Sequence, residues 1–450
     1  MSFYNRLPYT IVAPITATGG AIAVLRLSGK DAITITDTIF IAKNKAKWLQ
    51  AQSHTMHYGS IYDASQQLID DVLVSIFKCP HSYTGENVIE ISLHGSAYIL
   101  QTVIRLLILN GAILAEAGEF TLRAFLNKKM DLSQAEAVAD VIASESKAAH
   151  TIAMQQLKGG FSNHIQYLRS ELIRFAALIE LELDFSTEDV TFADRTQLYN
   201  LVLLIQKEIA LLLSSFQQGN AIKKGIQVAI IGKPNAGKST LLNTLLNEEK
   251  AIVTAIAGTT RDFIEDTLLI EGILFRFVDT AGLRNTHDII EKIGVERSIQ
   301  KMKEAHIILQ LITPEEQEDI LEIQENQSLL VVRNKIDTQN SMQPKANILD
   351  ISAKEQIGIE ELCKKLVEIA NQNFISTQSA TTVTNSRHYD SLYQANEHIK
   401  IVLEHIPTSL PTDILAIDIR ACIDSLGTIT GEVTNDEVLG AIFSKFCIGK

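Results

Sequence analysis

The sequence predicts a multidomain protein in which a mixed α/β unit is followed by an all-α unit, itself interrupted by a second α/β unit. Three observations predict it. Short runs of branched residues bounded by turn signals fill the first 125 residues, helical spacing takes over from Asp131, and strands alternate with helices between Gly225 and about Asn371. Helical patterning then resumes at Arg387. A chain of 450 residues is long enough for about three domains.

Within the first unit, alternation over Gly20 to Ser28 puts Ala21, Ala23, Leu25 and Leu27 on one face and Ile22, Val24, Arg26 and Ser28 on the other. Asp71 to Phe77 and Val88 to His94 read as further strands, bounded by Thr84-Gly85 and His94-Gly95. From Asp131, Ala135, Val138, Ala139 and Ile142 recur at helical spacing, with Asp131 or Ser133 placed to cap. Gly159-Gly160 predicts a break, and helical patterning continues to about Gln218. Apolar runs at Ile226–Ile231, Leu274–Val278, His306–Ile312, Leu329–Val332 and Ile348–Ile351 read as buried parallel strands. Gly219-Asn220 and the polar stretch 375–385 read as the two joints of the insertion.

Composition narrows the function. The chain carries 40 Lys and Arg against 53 Asp and Glu, a formal net charge of -13, which disfavours a general nucleic-acid coat protein. Lys43, Lys45 and Lys47 read as isolated in this acidic background rather than as part of a basic stripe. The cysteines Cys79, Cys363, Cys422 and Cys447 form no C-x-x-C pair, which argues against a zinc site and a disulfide framework and fits a reducing cytoplasm. The apolar stretch Leu198–Leu213 is interrupted by Lys207 and Glu208 and is too short for a bilayer, so no membrane association is expected.

The chemistry is carried by ordered motifs. Gly232-Lys233-Pro234-Asn235-Ala236-Gly237-Lys238-Ser239 lies between the Ile226–Ile231 strand and a helix-like Thr240–Leu246, the context of a phosphate-binding loop. Its backbone N–H groups would cradle phosphate oxygens, Lys238 would meet the β- and γ-phosphates, and Ser239 would ligate Mg²⁺. Asp279-Thr280-Ala281-Gly282 ends a strand, with Asp279 near the Mg²⁺ shell and the Gly282 N–H at the γ-phosphate. In Asn334-Lys335-Ile336-Asp337, the Asp337 carboxylate would accept from guanine N1–H and N2–H₂, a pair adenine lacks. Ser352-Ala353-Lys354 completes the base pocket, so GTP is the expected nucleotide. Gly258-Thr259-Thr260-Arg261-Asp262 reads as a switch whose Thr260 would ligate Mg²⁺ while a γ-phosphate is present. Leu283 stands where Ras-like enzymes place a water-orienting Gln, so hydrolysis needs another water-positioning group and another positive charge.

Over essentially its whole length the chain resembles the MnmE (TrmE) family of tRNA modification GTPases. The resemblance rests on Gly19 to Gly29, Ser82-Tyr83-Thr84-Gly85-Glu86, Gly118-Glu119-Phe120 with Arg123-Ala124-Phe125-Leu126-Asn127, Gly258 to Asp262, Asp279 to Arg284, and the terminal Phe446-Cys447-Ile448-Gly449-Lys450. It implies an α/β N-terminal folate-binding-like and dimerisation domain (1–125), an all-α helical domain (126–220 and 377–450), and a Ras-like α/β P-loop GTPase domain (221–376) inserted in the helical domain. It also implies a homodimer whose GTPase domains meet when K⁺ and GTP bind. K⁺ would be held by Asn235, Thr254, Ile256 and Thr259, and Mg²⁺ by Ser239 and Thr260. Thr240 and the run Thr254, Ala255, Ile256, Ala257, Gly258, Thr259, Thr260 would line the GTP site. Glu291 would orient the attacking water through a second water, which suits the gap left by Leu283; Arg284 has no finger role in the family.

The same resemblance implies a tetrahydrofolate pocket lined by Arg26, Glu90, Lys129 and Lys450. Cations suit the glutamate tail of folate and a carboxylate suits its aminopyrimidinone edge. Cys447 reads as a small apolar filler, with a catalytic thiol as the sharper alternative and terminal prenylation disfavoured by Gly449-Lys450. The implied partners are tRNA and a flavin-bearing protein, MnmG (GidA), carrying FAD and forming a heterotetramer with this chain. The implied reaction adds an aminomethyl or carboxymethylaminomethyl group to the wobble uridine. A ribosome-assembly switch binding rRNA or a ribosomal protein is the alternative. Trp48 and His94 read as structural.

Overall fold

The computed structural model describes residues 3–17, 19–184, 195–248, 266–279, 303–316, 323–324, 327–338, 347–375, 381–406 and 412–450. The chain divides into two compact units. One comprises Met1–Ala139, Leu157–Glu171 and Ile423–Lys450, the other Asp140–Gln156 and Leu172–Cys422.

The first unit is built on a seven-stranded sheet. Its strands are β1 (Ile11–Pro14), β2 (Ile22–Ser28), β3 (Phe40–Ala42), β4 (Thr55–Tyr62), β5 (Leu68–Phe77), β6 (Val88–His94) and β7 (Ile113–Leu114), in spatial order β3-β4-β5-β6-β2-β1-β7. Neighbours run antiparallel except β1 and β7. Alternation decides the faces: Ala23, Leu25 and Leu27 join Val72, Val74, Ile76, Ile89 and Ile91 in one core with α1 (Ala32–Asp37) and α3 (Ala97–Leu109), while α2 (Lys45–Leu49) follows β3. The opposite face carries Arg26, which pairs in register with Glu90. Both Trp48 and His94 are bonded within this unit: the Trp48 indole donates to Asp37 at 2.6 Å, and His94 Nδ1 lies 2.6 Å from the buried Asp70 carboxylate.

Helix α4 (Glu119–Leu126) is followed by α5 (Leu132–Ala143), α6 (Lys147–Leu157), α7 (Gly160–Asp184) and α8 (Arg195–Lys224). Asp131, not Ser133, caps α5: its carboxylate accepts from Gln134 N–H, and the Gln134 side chain accepts from Asp131 N–H, the reciprocal pattern of a capping box. The break at Gly159 is present, between α6 and α7. The joint expected at Gly219-Asn220 lies instead inside α8, which runs on to Lys224. Gly219 is small because a Cβ there would collide with the Val383 carbonyl. Among the described residues Thr196–Lys224 is the one helix long and apolar enough to cross a bilayer by length and composition. Leu198, Val202, Ile205, Ile209 and Leu212 form a buried stripe along it, and Phe216 lies 4.6 Å from the Tyr389 ring of the later helix α11 (Ser386–His405).

The second unit holds a six-stranded sheet: β8 (Ile226–Ile231), β9 (Asp266–Ile270), β10 (Ile273–Asp279), β11 (Ile307–Ile312), β12 (Ser328–Arg333) and β13 (Ile348–Asp350), in order β13-β12-β11-β8-β10-β9. All pairs are parallel except the β9–β10 hairpin. The predicted strands match within two residues because both faces are buried; every residue of β11 is buried. Helices α9 (Lys238–Glu248) and α10 (Ile359–Ala370) contribute to its core. Because β8 lies between β10 and β11, the sheet order reverses there, and a crevice opens beyond the carboxyl ends of these strands. The chain closes with α12 (Thr412–Thr430) and α13 (Asp436–Phe443).

Candidate functional site

The crevice receives the phosphate-binding loop directly from β8. Asn235 takes a positive φ of 68°, Ala236 N–H donates to Lys233 O at 3.2 Å, and Leu241 N–H donates to Gly237 O at 2.9 Å to start α9. Lys238 folds back over the loop, its ammonium donating to the carbonyls of Gly232 (2.6 Å) and Lys233 (3.0 Å). Asn235, Ser239 and Thr240 are exposed in the same stretch, leaving the oxygens of Asn235 and Ser239 open to a cation.

The base-recognition side is fastened by hydrogen bonds. Asn334 is buried; its side-chain N–H₂ donates to Ala236 O at 2.9 Å and its oxygen accepts from Ala353 N–H at 2.9 Å. One amide thus ties the phosphate loop to the Ser352-Ala353-Lys354 loop. Ser352 is fully buried and its hydroxyl donates to Asp337 at 2.6 Å, which holds that carboxyl below its ordinary range. Asp337 is exposed, Lys335 sits at a φ of 65°, and Lys354 is exposed beside Glu355. Asn334, Asp337, Ser352 and Ala353 therefore converge as the motif spacing predicts.

A pair that sequence reasoning missed stands just behind them. Arg333, the last residue of β12, donates from Nε and Nη2 to the two carboxylate oxygens of Asp350, the last residue of β13, at 2.7 and 2.8 Å. These residues are register partners, so the ion pair clamps two strand ends whose next residues are the two base-recognition loops. The sequence signal is slight: Arg333 directly follows one apolar run and Asp350 interrupts the last.

Thr254, Ala255, Ile256, Ala257, Gly258, Thr259, Thr260, Thr280, Ala281, Gly282, Leu283, Arg284 and Glu291 lie outside the described residues, and of Asp279 only the backbone, ending β10, is described.

In the first unit, Arg26 donates from Nε to Glu90 Oε1 at 2.9 Å, and its Nη2 lies 2.7 Å from the same oxygen. The guanidinium carbon stands 5.3 Å from the Tyr83 ring centroid and 5.6 Å from that of Phe120. Tyr83 is largely buried; burial raises its hydroxyl pKa, opposed by a hydrogen bond with Thr121 and by the Arg26 charge. Phe120 N–H donates to Lys450 O at 3.1 Å, and Ala117 pairs with Ile448, so the terminal segment is seated beside this cluster. Gly449 fits there because it adopts a φ of 98° and a Cβ would strike the Pro14 carbonyl. Lys129 is turned aside: its ammonium donates to Pro80 O at 3.0 Å, in a groove shared with His54, Phe77, His81, Ser82 and Tyr83. Cys447 is exposed, which corrects the filler reading; Phe446 is the buried side chain, packed 5.4 Å from Phe443.

Beneath the cluster lies a second feature the sequence did not announce. Fully buried Arg123 donates to Glu86, Glu119 and the carbonyls of Tyr9 and Arg6, and Ser28 donates to Glu86 at 2.6 Å. This network joins the Ser82–Glu86 loop to α4, whose Phe120 and Thr121 touch Arg26 and Tyr83. A buried cation with two carboxylate partners is held in one geometry, because any other leaves charge unpaired.

Two family models match the chain: one described as "MnmE helical domain" over residues 132–447, and one described as "GTP-binding protein TrmE N-terminus" over residues 10–129. The first spans the six-stranded sheet as well as the helices before and after it in sequence, the pattern of an insertion. Among similar proteins, one named tRNA modification GTPase MnmE from Flavobacterium psychrophilum is 52% identical, covering 98% of this chain and 99% of that protein. Proteins of the same name from Cytophaga hutchinsonii (51%; 98% of each chain) and Bacteroides fragilis (50%; 98% of this chain and 99% of that one) match as broadly. With that identity over nearly the full length, on a phosphate loop and guanine pocket carried by a six-stranded sheet, the chain belongs to the MnmE family of tRNA modification GTPases.

Proposed function

We propose that this GTPase of tRNA modification acts in the cytoplasm as a homodimer with a flavin-bearing partner, MnmG (GidA), to modify C5 of the wobble uridine in certain tRNAs. The added group is aminomethyl or carboxymethylaminomethyl, and tetrahydrofolate, when bound, supplies its one-carbon unit. The observation that carries this reading is the Arg26–Glu90 pair. Only Glu90 Oε1 is engaged by Arg26 in the described contacts, so Glu90 Oε2 and Arg26 Nη1 remain available to a ligand. An acceptor and a donor side by side, flanked by the rings of Tyr83 and Phe120, suit a flat heterocycle with an amide edge. Lys450, seated through its backbone beside Phe120, and Lys129 in the adjoining groove supply cations for the glutamate end.

For hydrolysis, Lys238 would leave the loop carbonyls to meet the phosphates, and Ser239 and Thr260 would hold Mg²⁺. Asn235, with Thr254, Ile256 and Thr259, would hold K⁺, which would supply the positive charge that an arginine finger supplies in other GTPases. Glu291 orients the attacking water in place of the glutamine that Leu283 displaces. Mass spectrometry of wobble uridines from a strain lacking this gene tests the reading. The modified uridine should disappear and return with the wild-type gene but not with a Glu291→Ala allele; unchanged modification in the deletion strain would contradict it.

A further inference from the structure

The lysines that look isolated in the sequence gather on one edge of the first unit. Strand β3 ends the seven-stranded sheet, and Lys43 follows it, its N–H donating to Tyr58 O at 3.0 Å so that the β3–β4 pairing continues. Lys45 and Lys47 lie in α2, fixed by Asn44, whose side chain accepts from Lys47 N–H at 3.0 Å. Buried Trp48 anchors the turn: it is bonded to Asp37 and packed edge-on against Phe40 and His57 at 4.9 and 5.4 Å. All three lysines are exposed, and Lys43 Nζ stands 4.8 Å from the centroid of Tyr58, itself 44% exposed.

Their charge is unanswered. From Thr38 to Tyr62, the length of β3, α2 and β4, the sequence contains no Asp or Glu, in a chain that carries 53 of them. The acids that flank this edge are engaged elsewhere: Asp37 with Trp48, Asp70 with His94, Asp71 with Ser60, and Asp63 with the N–H groups of Ser65 and Gln67. Lys364, Lys365 and Lys400, by contrast, each sit within 2.7 Å of a carboxylate, whereas no ion pair to Lys43, Lys45 or Lys47 occurs among the described residues. Simple protection of an edge strand needs one lysine, not a rim of three swept clear of acid with an exposed aromatic ring beside it.

We propose that Lys43, Lys45 and Lys47, with Tyr58, form a contact surface for the phosphate backbone of RNA. It rests on the reading that this chain acts on tRNA and names the surface that meets it. Lysines on a rigid turn offer point charges to successive phosphates, and Tyr58 offers a ring to an unstacked base. The overall charge of -13 then confines RNA to this edge by repelling it elsewhere.

The test is binding of the full-length protein to unmodified tRNA across a salt series, comparing wild type with a Lys43→Gln, Lys45→Gln, Lys47→Gln triple variant. The triple variant should bind about tenfold or more weakly at moderate salt, and the slope of log K against log salt should become shallower by about 2, as expected for three lost phosphate contacts. Tyr58→Ala should weaken binding about fivefold or more with the slope unchanged. Lys45→Gln alone, a single exposed change, should give about a third of the slope effect and guards against misfolding of the triple variant. GTP turnover and thermal midpoint should stay at wild-type values. If wild type binds tRNA and the triple variant matches it in affinity and slope, the rim is only an edge guard and the proposal falls. If the triple variant keeps its tRNA affinity but loses binding to phosphatidylserine vesicles, the rim serves a membrane and the proposal falls. If wild type binds no tRNA, the tRNA reading fails and takes the rim with it.

Discussion

The two sheets carry their sites in different ways. The six-stranded sheet works at its strand ends: β8, β12 and β13 stop, and the residues just beyond them become the phosphate loop and the two base loops. The seven-stranded sheet works on its face, where Arg26 and Glu90 project from paired strands and are walled in by a loop, by α4 and by the terminal segment. Parallel strands are buried on both faces, so only their ends are free to bind a ligand; an antiparallel sheet covered on one side leaves the other open. A strand-end site therefore depends on short loops being fastened to one another, and a face site on distant segments being brought together.

Four perturbations sharpen that contrast, beginning with the strongest. Asn334→Ala removes the amide joining the phosphate loop to the base loop and leaves Ala236 O and Ala353 N–H unsatisfied. The loss should be about 2 to 4 kcal/mol, so GDP should bind about 30- to 1000-fold more weakly in a fluorescence titration. Arg333→Met unclamps the ends of β12 and β13 without touching the ligand, and GDP affinity should fall about tenfold, or about 1.4 kcal/mol. Inorganic pyrophosphate, which meets only the phosphate loop, should bind the Arg333→Met protein as before; equal losses for both ligands would make Arg333 a general stabiliser rather than a base-loop clamp.

His306 offers a gentler probe of the same sheet. Burial holds its pKa below 6.5, and Nδ1 accepts from Gln227 N–H at 3.0 Å, so the fold favours the neutral ring. The unfolded chain then binds the extra proton first, and stability rises with pH in this window. Urea midpoints should be flat above about pH 7 and should fall as pH drops below about 6.5; His306→Asn should lose that arm. The smallest effect concerns thiols. Burial pushes the Cys422 thiol far above its ordinary range, whereas Cys79 and Cys447 are exposed. Iodoacetamide should label the latter two in the folded protein and reach Cys422 only after denaturation.

The same contrast explains what could be read from the chain. Strand-end loops compress their chemistry into contiguous residues, so Gly232 to Ser239, Asn334 to Asp337 and Ser352 to Lys354 announce a guanine-nucleotide site unaided. Periodicity likewise gives five of the six strands, because β11 and its neighbours are mainly apolar and buried, whereas the hairpin strand β9 (Asp266–Ile270), only partly buried, is not read from it. The face site is scattered over positions 26, 90, 129 and 450, and nothing in their spacing joins them; only the resemblance named them. Buried Arg123 and the Arg333–Asp350 pair escaped notice because a charged residue in sequence reads as a surface residue until its partners are seen. Gly219 misled in the other direction: a glycine read as a joint is the point where the non-helical segment 382–384 packs closely on α8.

The proposed function places guanine at the strand ends of one sheet and a folate on the face of the other. Calorimetric titration of GDP and of tetrahydrofolate into Asp337→Ala and Arg26→Ala proteins tests it most directly. Asp337→Ala should lose GDP affinity by about tenfold or more and keep its folate affinity, while Arg26→Ala should show the reverse. Unchanged folate binding by Arg26→Ala, or loss of both ligands by either variant, would contradict it.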